Sequence, residues 1–275
     1  MDRVGIIGFG NMGSAIAGRI KREYRVAVFD KDKNIIGNLT GIEAADNLPN
    51  LLKEAKTIIL AVKPQDLDNI LEGIRDCAVT PLIISIAAGI TTGYIEKALG
   101  KARVIRVMPN MGARIGRSVT CLCGGSFAAE RDILYAIELF NHLGITRKIE
   151  ENMMNAVTAI SGSGPAYYFA LIESNPKEYR ENSGKVLKDF IASLAQAAEG
   201  IGFGRKEAKA LAVLTANCAQ ELLVQTKSSP SELIKQITSK GGTTEAALEV
   251  LGRGGSLEEA VKAALARAET LAKKE

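Results

Sequence analysis

The first twenty residues restrict the possible fold more than any other part of the chain. An apolar run at 3–8 leads into the glycine turn Gly8-Phe9-Gly10-Asn11-Met12-Gly13, and a helical pattern containing Ile16 and Ile20 follows. A strand, a glycine turn and a helix in this order open the βαβ unit that binds a dinucleotide. The first glycine permits the tight turn, the second lets a pyrophosphate approach the backbone, and the third lets the helix pack on the strand. We therefore expect cofactor contacts at Gly8, Gly10, Asn11, Met12 and Gly13.

A second apolar strand, Val26–Phe29, ends in Asp30. This acid lies about twenty residues beyond the glycine turn, where a dinucleotide site places the carboxylate that binds the ribose hydroxyls. Such a carboxylate repels a 2′-phosphate, but Lys31 and Lys33 lie close enough to offset that repulsion. We predict that the cofactor is NADH or NADPH, with NADH used at least as well as NADPH.

Three further apolar runs predict a parallel sheet, at 57–62, 82–86 and 103–107. Helical patterns near 64–75 and 91–99 lie between them, and such near-continuous apolar strands are typical of a sheet covered by helices on both faces. A sheet of this kind binds its ligand at the carboxyl ends of its strands. The expected fold class is therefore α/β, with an N-terminal doubly wound parallel sheet of the Rossmann type.

The second half of the chain is helical and rich in alanine and leucine. We expect a dinucleotide-binding domain at 1–150 and an all-helical domain at 151–275. Helical stretches near 185–200 and 205–226 carry more apolar residues than a domain of this size needs for its own core, which favours an obligate dimer. The polar segment 175–184 is expected to form a loop.

Composition excludes several classes of protein. The net charge of +4 is mild, aromatic residues make up 5% and tryptophan is absent, so a nucleic-acid partner is not expected. No apolar run approaches the roughly 18 residues that span a bilayer, and the chain passes from Met1 directly into the first strand. We therefore expect a cytoplasmic protein with no membrane partner. The four cysteines and the single histidine do not suggest a metal site.

The turn Ser239-Lys240-Gly241-Gly242-Thr243-Thr244 lies between two helical patterns. The preceding helix begins with the capping box Ser229-Pro230-Ser231-Glu232. The turn therefore combines a helix N-terminus, two glycines that permit close approach and three hydroxyls, which together suit a carboxylate. In the alternative interpretation the glycines end one helix and Thr243 caps the next.

Six segments together resemble the pyrroline-5-carboxylate reductase family, whose members catalyse the last step of proline synthesis. These segments are Gly8–Gly13, Ala61–Pro64, Ser85–Gly89, Val107–Asn110, Ser161–Tyr167 and Gly241–Thr244. The resemblance covers nearly the whole chain and implies hydride transfer from NADPH or NADH to 1-pyrroline-5-carboxylate. It also implies that the helical domain forms a homodimer, and that dimers can assemble into a ring.

The resemblance also implies roles for individual residues. It places the pyrophosphate at the glycine turn, and the nicotinamide end beside Ala61, Lys63, Pro109 and Asn110. It implies that Gly241, Gly242, Thr243 and Thr244 bind the substrate, with the Thr244 hydroxyl at the ring nitrogen and Ser239 assisting. Because a protonated imine accepts hydride without a strong protein acid, positioning of the substrate is sufficient for catalysis.

The sequence departs from the family's usual motifs at two places, and two other functions are alternatives. The family usually has Thr-Pro where Met111-Gly112 stands, and proline where Lys240 stands. An alternative enzyme is a hydroxyacid dehydrogenase acting on another small carboxylate, but such enzymes need a lysine where this chain has Tyr168. A nucleotide sensor without turnover would have no use for an ordered turn at 241–244.

Overall fold

The chain divides into two compact units in the computed structural model, which describes residues 2–36, 40–77 and 79–272. The first unit comprises the chain up to Met108 together with Thr120–Glu151. The second comprises Pro109–Val119 and the described chain from Asn152 to Ala272. Residues 109–119, which the apolar patterns group with the first domain, therefore pack in the second unit.

The first unit is built on a sheet with eight strands in the described part of the chain. The strands are β1 Arg3–Ile7, β2 Arg25–Phe29, β3 Glu43–Ala44, β4 Thr57–Leu60, β5 Leu82–Ser85, β6 Val104–Met108, β7 Ser118–Gly124 and β8 Gly144–Lys148. Their order is β3-β2-β1-β4-β5-β6-β7-β8. The pairs from β3 to β6 are parallel, and β7 is antiparallel to β6. The predicted doubly wound sheet is confirmed.

Helices connect the strands of this sheet. They are α1 Asn11–Ile20, α2 Leu48–Glu54, α3 Leu67–Asp76, α4 Thr92–Leu99 and α5 Glu130–Asn141. Strands β4, β5 and β6 are buried along their whole length, which explains their near-continuous apolar sequences. The strand order reverses between β1 and β4, so the carboxyl ends of these two strands form the switch point where a ligand binds.

The second unit consists of helices apart from the start of β7. The helices are α6 Met154–Val157, α7 Gly164–Ser174, α8 Pro176–Gly200, α9 Arg205–Thr226, α10 Pro230–Ile237, α11 Thr243–Gly252 and α12 Leu257–Ala272. A π-helical turn, Thr158–Gly162, joins α6 to α7. Tyr167, Tyr168 and Phe169 are fully buried in the core of this unit.

The expected loop at 175–184 is wrong. Pro176 is the first residue of α8, which extends to Gly200. At this position the missing N–H of proline costs nothing, because the first N–H groups of a helix have no partner within it. One residue, Asn182, has non-helical angles of φ −139° and ψ 40°, so the helix is kinked there. The polar composition of the segment reflects its exposure to solvent.

Candidate functional site

The glycine turn has the geometry that a pyrophosphate site requires. Gly8 has a φ of +96°, and a Cβ at this residue would lie 2.6 Å from the carbonyl oxygen of Ala61. A side chain at Gly13 would collide with the carbonyl of Gly8, whereas a Cβ at Gly10 would meet no atom within 4 Å. The three glycines therefore serve the turn, the open approach and the helix packing that their spacing predicts.

Helix α1 supplies the electrostatics of this site. Gly10 is its N-cap, and the first turn contains no acidic residue. The first internal hydrogen bond runs from the Ser14 N–H to the Gly10 carbonyl at 2.9 Å, so the N–H groups of Asn11, Met12 and Gly13 precede the helical ladder. A helix N-terminus of this kind favours an anionic group.

Asp30 follows β2 and accepts a hydrogen bond from the glycine turn. Its Oδ2 accepts from the Phe9 N–H at 2.7 Å and its Oδ1 from the Asp32 N–H at 2.9 Å. The half-buried carboxylate retains further lone pairs for a ribose hydroxyl. Lys31 donates to Asp66 at 2.8 Å, and this hydrogen bond raises the pKa of the Lys31 ammonium. The positive charge of Lys31 is therefore partly balanced by the negative charge of Asp66.

Two residues predicted at the nicotinamide end follow β4. The Ala61 N–H donates to the Ile7 carbonyl at 2.8 Å, which fixes Ala61 beside the glycine turn at the switch point. Lys63 is exposed and caps the short 3₁₀ helix Pro64–Asp66. Both lie at the carboxyl edge of the sheet, and their roles toward the nicotinamide stay predictions.

Pro109 and Asn110, the other two residues predicted there, pack in the second unit. The Asn110 side chain is 2% exposed, and its Oδ1 accepts from the N–H groups of Gly112 at 3.1 Å and Val119 at 3.2 Å. Its Nδ2 donates to the Ser161 carbonyl at 3.2 Å. The main-chain N–H of Asn110 is engaged as well, since it donates to Ser118 Oγ at 3.2 Å. The role of Asn110 toward the nicotinamide stays a prediction.

The predicted substrate turn is a β-turn that leads directly into α11. The Gly242 N–H donates to the Ser239 carbonyl at 2.9 Å, and Gly241 at the third position has a φ of +70°. Lys240, at the second position, has no positive φ, so the turn is of type II. A side chain at Gly242 would collide with the Ser239 side chain.

The N-cap of α11 is Gly242, without a side-chain cap. The alternative in which Thr243 caps the helix is therefore wrong. The first helical bond runs from the Ala246 N–H to the Gly242 carbonyl, so no protein acceptor in the described chain takes the N–H groups of Thr243, Thr244 and Glu245. These three donors, at the N-terminus of a ten-residue helix, suit a carboxylate.

The two threonine hydroxyls of the turn meet Ser163, which precedes α7. Thr244 Oγ1 donates to Ser163 Oγ at 3.0 Å, and Thr243 Oγ1 lies 3.0 Å from the same atom. Thr244 is 5% exposed and Ser163 is 1% exposed. The sequence indicated Ser163 only as part of a motif, because its contact lies 81 residues away along the chain.

Two charged residues of the site were missed by the sequence patterns. Glu245 Oε2 accepts from the Gly241 N–H at 2.7 Å, and Arg267 Nε donates to the Gly241 carbonyl at 2.6 Å. Arg267 belongs to α12, 26 residues from the glycine it contacts. An acid in the first turn of α11 was a signal for Glu245, whereas no local pattern singles out Arg267.

The cysteine thiols are not part of a metal site in the described residues. Cys121, Cys123 and Cys218 are buried, and Cys77 is half-buried. Burial raises the pKa of both Cys123 and Cys218 to about 12. These two thiols are therefore protonated and unreactive near neutral pH.

Comparisons with known proteins identify the family. Residues 187–274 match the family model described as pyrroline-5-carboxylate reductase dimerisation, and residues 3–89 match the model described as NADP oxidoreductase, coenzyme F420-dependent. The pyrroline-5-carboxylate reductase of Aquifex aeolicus is 32% identical, with 92% of this chain and 90% of the relative covered. The chain belongs to the pyrroline-5-carboxylate reductase family. The Synechocystis reductase is also 32% identical, with 99% of each chain covered.

Solved structures of the family agree with this fold. The pyrroline carboxylate reductase of Plasmodium falciparum, determined with NADP bound, has a TM-score of 0.63 and 26% identity, covering 99% of this chain and 98% of that one. The enzyme of Coxiella burnetii has a TM-score of 0.66 and 28% identity, covering 98% of both chains. The resemblance noted from the six sequence segments is confirmed.

The match to the dimerisation model indicates that this protein is a homo-oligomer. None of the described helices is both long and apolar enough to cross a membrane.

Proposed function

We propose that this protein reduces 1-pyrroline-5-carboxylate to L-proline with a hydride from NAD(P)H, as a member of its family. The observation that carries the proposal is the similarity to enzymes of that name over more than nine-tenths of the chain. The two turns support it, since one suits a dinucleotide and the other suits a small carboxylate.

The residues of the first unit fit the cofactor. The open space at Gly10 and the N-terminus of α1 would receive the pyrophosphate, and Asp30 would accept hydrogen bonds from the adenosine ribose. Bound NAD(P)H supplies the hydride. Ala61 and Lys63 are assigned to the nicotinamide end on the strength of the family resemblance.

The residues of the second unit fit the substrate. The N–H groups of Thr243, Thr244 and Glu245 would bind the carboxylate at the positive end of the α11 dipole. The absence of side chains at Gly241 and Gly242 lets this turn form, since Ser239 packs where a Gly242 side chain would lie. A Thr244 hydroxyl that donates to Ser163 retains lone pairs for the N–H of a protonated imine, and Ser239 would assist at the rim.

A coupled assay tests this proposal. We expect oxidation of NADH or NADPH when the purified protein receives 1-pyrroline-5-carboxylate, with L-proline as the product. Oxidation driven by a 2-keto acid, with no response to the imine, would favour the hydroxyacid dehydrogenase instead. The structure argues against that alternative because Tyr168, at the position of its lysine, is buried and donates to Gln220 at 2.7 Å.

The finer assembly is also a proposal. We infer a domain division near residue 150, a cytoplasmic homodimer formed by the helical domain, and further association of dimers into a ring. An apolar groove of about 540 Å³ in the second unit supports dimerisation, since α7, α8, α11 and α12 line it with Leu248, Leu251 and Leu257 among other residues. Most of this groove lies within residues matched by the dimerisation model.

A further inference from the structure

Two consecutive peptide groups are held in place just before α11. The peptide between Gly241 and Gly242 is fixed at both ends, because its N–H donates to the Ser239 carbonyl and its oxygen accepts from Arg267 Nε at 2.6 Å. The preceding peptide is fixed by Glu245, which accepts from the Gly241 N–H at 2.7 Å. The path of the turn into the helix is thus set by two charged side chains.

Of these two charged side chains, Arg267 comes from a separate helix, α12. It is half-buried, and no carboxylate of the described residues forms an ion pair with it. One hydrogen bond from a charged donor to a carbonyl is about twice as strong as a neutral one. Among the described residues, the Gly241 carbonyl in the substrate turn is the only acceptor of this guanidinium.

The sequence of the turn explains why such a support matters. A type II turn is favoured by proline at its second position, where this chain has the exposed residue Lys240. Proline would limit the backbone before folding, whereas lysine does not. A turn without proline needs tertiary contacts to keep the three free N–H groups of α11 directed toward one point.

We propose that Arg267 is a positioning residue for the substrate carboxylate, acting through the Gly241 carbonyl to keep the turn in its binding conformation. This inference rests on the proposed function. Arg267 contacts neither the substrate nor the cofactor in this role. Its loss raises the KM for a carboxylate-bearing imine and leaves hydride transfer in the bound complex largely unchanged.

The kinetic test compares Arg267→Ala with Lys262→Ala, which removes another cation from α12. Lys262 forms a surface ion pair with Glu258. We expect Arg267→Ala to raise the KM for 1-pyrroline-5-carboxylate about tenfold, the effect of losing one charged hydrogen bond. The kcat should change less than about twofold, within the ordinary scatter of a non-catalytic change. With 1-pyrroline, which lacks the carboxylate, the two variants should behave alike.

A rescue experiment separates positioning from a simple effect of charge. Lys240→Pro stiffens the turn without restoring a cation, so the double variant Lys240→Pro/Arg267→Ala should recover most of the lost affinity for the imine. Recovery supports a positioning role. An unchanged KM in Arg267→Ala, or an equal loss with 1-pyrroline, would overturn the proposal.

Hydrogen exchange tests the same inference without any turnover. We expect the amides of 239–245 to exchange about tenfold faster in Arg267→Ala than in wild type, and at the wild-type rate in Lys262→Ala. Unchanged exchange in Arg267→Ala overturns the inference, whatever the activity. A different outcome is that wild type fails to oxidise the cofactor with the imine while Arg267→Ala still exchanges faster than wild type at 239–245. That result would contradict the proposed function and leave Arg267 as the support of the turn.

Discussion

Among single residues, Thr244 is the one whose hydroxyl we assign to the chemistry. It is almost fully buried, and its only described side-chain partner is Ser163. We expect Thr244→Val to keep the shape of the site and to lower kcat/KM for the imine by about tenfold to a hundredfold, or about 1.5–3 kcal/mol. Steady-state kinetics with saturating cofactor measures this loss.

The control for Thr244→Val is the binding of NAD(P)H. Its dissociation constant should not change, because the substituted residue belongs to the second unit and the glycine turn to the first. Wild-type turnover in Thr244→Val would mean that the hydroxyl serves only to bind Ser163.

Asp30 determines the second prediction at this scale. Its carboxylate repels a 2′-phosphate, while Lys31 is partly neutralised by Asp66. We expect wild type to use NADH at least as well as NADPH, and Asp30→Ser to shift the ratio of kcat/KM values toward NADPH. Both cofactors should bind more weakly, since the hydrogen bond to the Phe9 N–H is lost. A strong NADPH preference that the substitution leaves unchanged would rule out this role.

Residues whose function is local could be predicted from the sequence. The roles of Gly8, Gly10 and Gly13 follow from backbone geometry within six residues, and the structure agrees with each. Ser163 and Arg267 act on the substrate turn across 81 and 26 residues of chain. No periodicity or capping rule reports such contacts, because they depend on how the helices pack.

Helices and strands with strong apolar periodicity were predicted correctly from the sequence. A polar segment was wrongly predicted to be a loop. Segment 175–184 contains proline, asparagine and glycine, yet it forms the first part of α8. Pro176 stands at a position where helices accept proline, and the non-helical angles of Asn182 divide α8 into two helical stretches. A polar helix exposed to solvent has the composition of a loop, so only its tertiary setting distinguishes the two.

The segment after β6 shows how one element depends on another. A side chain at Gly112 would collide with Cys218 Sγ and with the Arg117 carbonyl. Gly112 stands where the family usually has proline, and α9 packs into the space that a side chain there would occupy. We expect Gly112→Ala to destabilise the protein by about 1–3 kcal/mol, the usual cost of overpacking. Denaturant unfolding of wild type and variant measures this difference.

Gly18→Ala is the matched control for Gly112→Ala. Gly18 is exposed in the interior of α1, and a Cβ there would meet no atom within 4 Å. The same substitution should stabilise the protein at this site by about 0.5–1 kcal/mol, because alanine loses less backbone entropy in a helix. Equal effects at the two sites would contradict the packing argument.

At the scale of the whole molecule, we propose different tasks for the two units. The first contains the glycine turn and the second contains the substrate turn and the apolar groove. The sequence predicted both tasks, because each turn has a local signature. It did not predict that 109–119 packs in the helical unit, where the buried Asn110 amide binds the Ser161 carbonyl and the Val119 N–H.

The apolar groove yields the last prediction. If a second copy of the chain covers it, Leu251→Glu places a carboxylate in an apolar interface and should move the protein toward monomers at micromolar concentration. The control is Leu134→Glu on α5, where leucine is already 57% exposed and a charge costs little. Light scattering after gel filtration should report a dimer or larger assembly for wild type and Leu134→Glu, and a smaller mass for Leu251→Glu. An unchanged mass in Leu251→Glu would show that the groove is not the interface, and a monomeric, active wild type would overturn the obligate dimer itself.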